Sequence, residues 1–446
     1  MRWMFCSPWT RVFAAAAFLV ALPAAVPQTN AAQPTLSKVN QEMVHQMLVD
    51  AYNALKEHYY DPQLGGIDWQ ARFRDHDAHI AAAHNLGEGF GVIASFLSGL
   101  NDSHTYFMPP FRPFRIDPGY QLGVIGNDCY VTQVRPGTDA DKKIHVGDRI
   151  EHFDRYAINR QDFSDIRYYF YLLSPQQTVQ MDLRSPDGTT RRELVNANVV
   201  PTRRVVDLTD ESTSDFWDLL RRAEENDIQS HPRPVEVGDV TIVKLEGFDL
   251  DRSDIDRYMD VVRRHSALVL DLRGNGGGSV DTLQWLLGSF FDHPVKIADR
   301  VGRHNPRPFI AKPYGRTFTG KLVVLVDGQS ASASELFARV IQLEKRGTVI
   351  GDKTQGAVME ATYYPVHQGA DTQIQYAFSI TDANLLMTDG KSLEKMGVTP
   401  DEVLLPTGAD LAARRDPVLA RGVEMAGGKL DPAAAGKLFP YQWPAM

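Results

Sequence analysis

Three alternating serines, Ser330, Ser332 and Ser334, sit where an apolar strand-like run (321–326) breaks and a helical pattern restarts. A hydroxyl at a strand-to-helix junction is exposed, and the unpaired N–H groups of the helix start lie beside it. A nucleophile next to an oxyanion hole needs that layout. The same small-residue pattern also suits an ordinary helix cap. A second stretch, Asp271-Leu272-Arg273-Gly274-Asn275-Gly276-Gly277-Gly278-Ser279, follows the apolar run Leu268-Val269-Leu270 and opens another helix. Glycines let backbone amides converge on an anion without Cβ interference. The spacing is neither a dinucleotide fingerprint nor a P-loop, because no Lys-Ser/Thr follows the glycines. An oxyanion loop fits better than a phosphate loop or a plain tight turn.

Both stretches belong to a region, 235–410, in which strand and helix alternate. Strands are expected at 239–245, 267–272, 321–326 and 348–350, and helices at 253–264, 280–291 and 334–344. Such alternation predicts an α/β core with a largely parallel sheet. The chain before it has two other characters. Met43, Met47, Leu48, Ala51 and Leu55, then Phe90, Ile93, Phe96, Leu97 and Leu100, recur at helical spacing and predict a helical module over 33–110. Past Pro109, Pro110, Pro113 and Pro118, short strand-like runs at 122–125, 129–134, 149–153, 178–184 and 191–199 surround one helical stretch, 163–173. They predict a compact, mostly β unit over 118–201. A polar, acidic linker (202–234) and a helical tail (411–446) complete a multidomain chain of α+β and α/β character.

Composition narrows the setting. The chain has 446 residues, enough for two or three domains with buried cores. Arg2 and Arg11, an apolar run from Val12 to Val26 and a zone of small residues read as a secretory signal peptide over 1–32. A retained anchor needs about twenty apolar residues; this run is shorter and contains Pro23. Removing the two arginines takes the formal charge from −9 to −11. So acidic a chain offers no basic field to a phosphate backbone, which argues against nucleic acid as partner. Loss of Cys6 leaves Cys129 alone, so no internal disulfide forms, and its apolar context marks it as a small core residue. Export without disulfides points to a bacterial periplasm or cell surface, with membrane contact only through an uncleaved signal. No His or Cys spacing suits zinc, and no metal or other cofactor is expected.

Asp271-Leu272-Arg273 with Gly276-Gly277-Gly278, then Ser330-Ala331-Ser332-Ala333-Ser334-Glu335, Gly351-Asp352-Lys353-Thr354-Gln355-Gly356 and Gly397-Val398-Thr399-Pro400-Asp401 stand in this order. The series resembles the carboxy-terminal processing and tricorn-core serine peptidases, which implies a crotonase-related α/β peptidase core. The unit beginning at Gly119 is similar to the family's PDZ module. Gln121, Leu122, Gly123 and Val124 would be its carboxylate-binding loop. The resemblance assigns the nucleophile to Ser332 and the oxyanion hole to the N–H groups of Gly277 or Gly278 and Ala333, and leaves Ser330 and Ser334 as turn and cap residues. In the processing branch a lysine base follows the glycine of Thr-x-Gly, but Ala357 follows Gly356 here. Lys353 is the nearest substitute, some 13 Å away along extended chain. The tricorn-like branch uses a histidine preceded by a serine, and Ser103-His104 match that pair. A histidine of ordinary pKa accepts a proton at neutral pH without heavy desolvation. The same branch places a supporting glutamate at Glu394; Asp102 is a rival by adjacency.

The implied function is an exported serine endopeptidase acting on polypeptides, with no cofactor and with room for a homo-oligomer. Two alternatives stay open: an inactive peptide-binding relative, and an esterase or amidase on the same nucleophile.

Overall fold

The computed structural model describes residues 35–201, 234–304, 306–369 and 374–443; the signal peptide read at 1–32 and all of the linker but Pro234 lie outside them. The fold is mixed α/β. Three helices, Lys38–His58, Trp69–Ala82 and Leu86–Leu97, begin the described chain, each capped by a side chain (Ser37, Asp68, Asn85) that accepts an early backbone N–H. Met47, Leu48, Ala51 and Leu55 meet Phe90, Ile93, Phe96 and Leu97 in one apolar cluster, as their spacing predicts; Val44 joins it, while Met43 and Leu100 are only partly buried at its edge. That cluster also takes in Phe107, Tyr376, Phe378 and Ile380, because Tyr106–Met108 pairs antiparallel with Ile374–Met387. The helices are therefore packed directly onto a sheet built by the far end of the chain.

The β-rich unit is an antiparallel sheet in the order Tyr120–Ile125, Asp128–Val134, Arg149–Phe153, Thr178–Arg184, Thr190–Asn196. Cys129 is fully buried in its core, and burial pushes the thiol up to about 12. Two expected elements are divided. The strand read at 191–199 is broken at Ala197, whose N–H turns to Gln177 O; beyond it Asn198–Pro201 pairs with Phe114–Asp117 and so ties the unit's two ends together. The helix read at 163–173 is regular only over Phe163–Arg167 and continues as a wider π turn, Tyr168–Leu173.

The central sheet runs Val235–Val237, Val240–Lys244, Ala267–Asp271, Lys321–Val326, Thr348–Gly351, Glu402–Val403, parallel after the first strand. One face (Leu268, Leu270, Leu322, Val324, Val349) is covered by helices Arg252–Val262, Val280–Gly288 and Ala333–Leu343. The other (Ile242, Val269, Val323, Leu325, Ile350) is covered by helix Pro417–Ala426. Burial on both faces explains why these strands read as unbroken apolar runs. A second sheet joins Tyr106–Met108, Ile374–Met387, Val295–Gly302, Arg307–Ala311 and Met359–Gln368. Among the described residues no helix is long and apolar enough to cross a membrane.

Candidate active site

Ser332 is the residue before helix Ala333–Leu343, with φ 52° and ψ −116°. Such a conformation costs a non-glycine residue roughly 1–3 kcal/mol, so neighbours must impose it. The Ser332 N–H is shared between Ala357 O (2.9 Å) and Glu335 Oε2 (3.1 Å). The two flanking serines face inward. Ser330 Oγ donates to Leu272 O (2.8 Å) and Ser334 Oγ to Asn275 O (3.0 Å), so both fasten the turn to the glycine loop. Ser332 alone of the three lines the cleft. The expected division of roles is corrected in one respect: Ser332, not Ser334, is the helix N-cap residue.

The glycine loop leaves the same sheet end as the serine turn, because Ala267–Asp271 and Lys321–Val326 are parallel neighbours (Asp271 opposite Leu325). Asn275 is fully buried and organises the loop. Its Nδ2 donates to Leu245 O (2.8 Å), its Oδ1 accepts Gly277 N–H (2.8 Å) and its carbonyl accepts Ala331 N–H (3.0 Å). The Gly277 amide is thus already engaged. Among the described residues no acceptor takes the N–H of Gly278 or of Ala333. Gly277 has φ 104°, and a Cβ there would lie 2.7 Å from Ser332 Cβ and 3.0 Å from Ala333 N. That space is within hydrogen-bond reach of the Ala333 amide. Gly277→Ala is expected to fill it and to lower kcat roughly 100- to 1,000-fold, the cost of one lost oxyanion donor. Steady-state kinetics beside a thermal melt check this: a fall in stability with kcat intact would sink it.

His104 reaches the cleft on the turn before Tyr106–Met108. Asp102 shapes that turn: its carboxylate accepts His104 N–H (2.9 Å), Thr105 N–H (2.7 Å) and the hydroxyls of Thr105 and Thr381 (3.0 Å each). Those bonds direct Asp102 at the backbone and at the second sheet. Glu394 occupies the other side. It accepts Ser103 N–H (2.7 Å), Ser103 Oγ–H (2.8 Å) and Val358 N–H (2.9 Å), while Ser103 Oγ lies 2.7 Å from His104 Nδ1. An ionised carboxylate only accepts. Ser103 therefore spends its proton on Glu394 and accepts from His104 Nδ1–H, which leaves the Nε2 lone pair free. Burial holds His104 below its ordinary 6.5; Glu394 and Asp102 pull the other way, and Lys395 adds to the lowering. The imidazole is accordingly neutral and basic at pH 7.

His104, Ser332, Ala333 and Gly276–Gly278 all line one cleft of about 1690 Å³, and Gln121, Leu122, Gly123 and Val124 of the β-rich unit line it too. That unit is held on the core by Asp352, which pairs with Arg160 and accepts Gly126 N–H (2.8 Å). Lys353 is exposed and does not line the cleft, so the alternative base is not brought to the serine. One group missed in the sequence is Glu335, fully buried under Ser332. Its place three residues after the serine, with no apolar reason to be inside, was the available signal.

The model of peptidase family S41 matches residues 239–404. The carboxyl-terminal-processing peptidase 3, chloroplastic, of Arabidopsis thaliana is 26% identical over 384 residues, covering 80% of this chain and 68% of its own length. The tail-specific protease of Haemophilus influenzae is 22% identical over 320 residues, covering 67% of this chain but only 43% of the relative. Mature CPAF, solved in complex with lactacystin, shares the fold, with a TM-score of 0.62 at 18% identity over 84% of this chain and 96% of that one.

Proposed function

We propose, for a chain that carries a family S41 peptidase domain and is a serine-type endopeptidase, that it cleaves polypeptides through an acyl-enzyme on Ser332 with His104 as general base. The observation that carries this reading is the chain Glu394–Ser103–His104, which leaves Nε2 basic in the cleft that Ser332 lines. His104 Nε2 takes the Ser332 proton as Oγ attacks the peptide carbonyl. The N–H groups of Gly278 and Ala333 receive the oxyanion. His104 then returns the proton to the leaving amine, and a water activated by the same nitrogen releases the acyl group. Ser103 and Glu394 keep the imidazole in the useful tautomer and stabilise it once charged.

The β-rich unit reads as a PDZ-like module. Among the described residues its strand Tyr120–Ile125 has one partner strand, and it borders the cleft, which supports capture of a substrate's C-terminal segment by strand addition. The names of the processing and tail-specific relatives favour the same substrate end. The leader read at 1–32 supports export to a periplasm or cell surface.

The test is covalent. A fluorophosphonate probe, followed by peptide mapping, is expected to mark Ser332 alone, and the labelled protein to lose turnover of an unfolded polypeptide. Turnover of small esters with none of peptides would move the reading to an esterase, and no labelling would favour a peptide-binding relative.

A further inference from the structure

Glu335 plays no part in the steps above, yet it is the carboxyl most tightly built into the nucleophile turn. It is fully buried, on the first turn of helix Ala333–Leu343. Oε1 accepts the Thr354 hydroxyl and Gly356 N–H (2.8 Å); Oε2 accepts Ala357 N–H (2.9 Å) and Ser332 N–H (3.1 Å). The Thr354 oxygen in turn accepts Val398 N–H (2.6 Å), which commits its own proton to Glu335. Four donors thus converge on one carboxylate. A protonated acid or an amide in its place would set a hydrogen against at least one of them.

We infer that Glu335 is a positioning residue: its ionised carboxylate clamps the Ser332 turn to the segment 354–357, and the turn is set for attack only while that charge is present. The inference rests on the reading of Ser332 as nucleophile. Ala357 is the position at which the processing-peptidase pattern carries its lysine. Here the Ala357 backbone holds the serine instead, with its N–H on Glu335 and its C=O on the Ser332 amide. The strained φ of 52° at Ser332 is what such a clamp must maintain.

Among the described residues the charge has no counter-ion. The groups facing Glu335 are Ser332 on its own helix, Thr354, Gly356 and Ala357 on the adjoining segment, and Val398 through Thr354. None of them is ionisable, and no ion pair to Glu335 occurs among the described residues. Burial therefore pushes the carboxyl up to about 7 from 4.5, with the hydrogen bonds opposing it. The sign follows: the clamp forms as pH rises through about 7, whereas His104, facing Glu394, Asp102 and Lys395, is already neutral from below 6.5. Activity should then need two groups deprotonated, with Glu335 the upper one.

The experiment is the pH dependence of kcat and KM on a peptide substrate for wild type, Glu335→Gln and Thr354→Val, each first checked for labelling of Ser332. Wild type is expected to show an upper ionisation near 7 and a steeper fall below the His104 ionisation. Glu335→Gln is expected to lose the upper ionisation and about 100-fold in kcat at pH 8, the scale of a misplaced reacting group. Its KM should stay within about twofold. Thr354→Val removes a hydrogen bond to the charged form and should move the upper ionisation to higher pH. A wild-type profile with a single ionisation below 6.5 overturns the inference, and so does a Glu335→Gln profile that matches wild type. If Glu335→Gln fails to fold, the Thr354→Val shift decides, and no shift overturns it. Absence of Ser332 labelling in wild type counts against the nucleophile itself; labelling with an unmoved profile counts against Glu335 alone.

Discussion

Ser332→Ala is expected to lower kcat on an unfolded polypeptide on the order of a millionfold, the scale seen when a serine nucleophile is removed. Its folding should barely change. Alanine meets the same backbone strain at φ 52° as serine does, and the backbone N–H and C=O of residue 332 keep their partners. The flanking serines give the contrast. Ser330→Ala and Ser334→Ala each take one of two donors from Leu272 O and Asn275 O, which keep Asn275 N–H and Ala331 N–H, so each should cost roughly 1 kcal/mol of stability. Their activity should fall far less. Progress curves for the three variants beside denaturant melts separate a nucleophile from two struts. If Ser332→Ala keeps even a thousandth of wild-type turnover while a neighbour is dead, the nucleophile has been assigned to the wrong serine.

Why the serine turn could be read from the sequence, and its partners only in part, has a physical basis. Strands buried on both faces are uniformly apolar and end abruptly at glycine loops, so Lys321–Val326 and its loop announce themselves. The second sheet does not. Met359–Gln368 is mostly half-exposed, and Arg300 on Val295–Gly302 pairs with Asp382 on the adjoining strand and with Glu360 on Met359–Gln368 beyond it. Charges that neutralise one another across strands look, in sequence, like loop. Yet that sheet carries the strand Tyr106–Met108, which fixes the turn bearing His104. The histidine and Glu394 were reached only through the family resemblance; spacing alone could not pair them, because Glu394 meets Ser103 across 291 positions. Asp102 was the nearer acid and proved to be a backbone device. Glu335 was overlooked because its partners Thr354, Gly356 and Ala357 come from a separate loop.

His104→Ala is expected to lower kcat roughly 10,000-fold, the upper range for a general base, and to remove the ionisation below 6.5. Glu394→Gln should approach the same loss by a different route. An amide can donate to Ser103 Oγ, which frees the Ser103 proton for His104 Nδ1. The imidazole proton then moves to Nε2, and the nitrogen that should accept the Ser332 proton no longer has a lone pair. A wrong tautomer of this kind costs up to about 10,000-fold elsewhere. Losing the Glu394 charge also removes a group that raises the His104 pKa, so the His104 ionisation in the residual activity should move to still lower pH. Because the three groups act as one relay, His104→Ala and Glu394→Gln together should be hardly worse than His104→Ala alone. Kinetics of the two single variants and the double variant from pH 5 to 9 test the relay as a unit. Additive losses would make Glu394 a structural residue, and a His104→Ala enzyme within tenfold of wild type would require a different base.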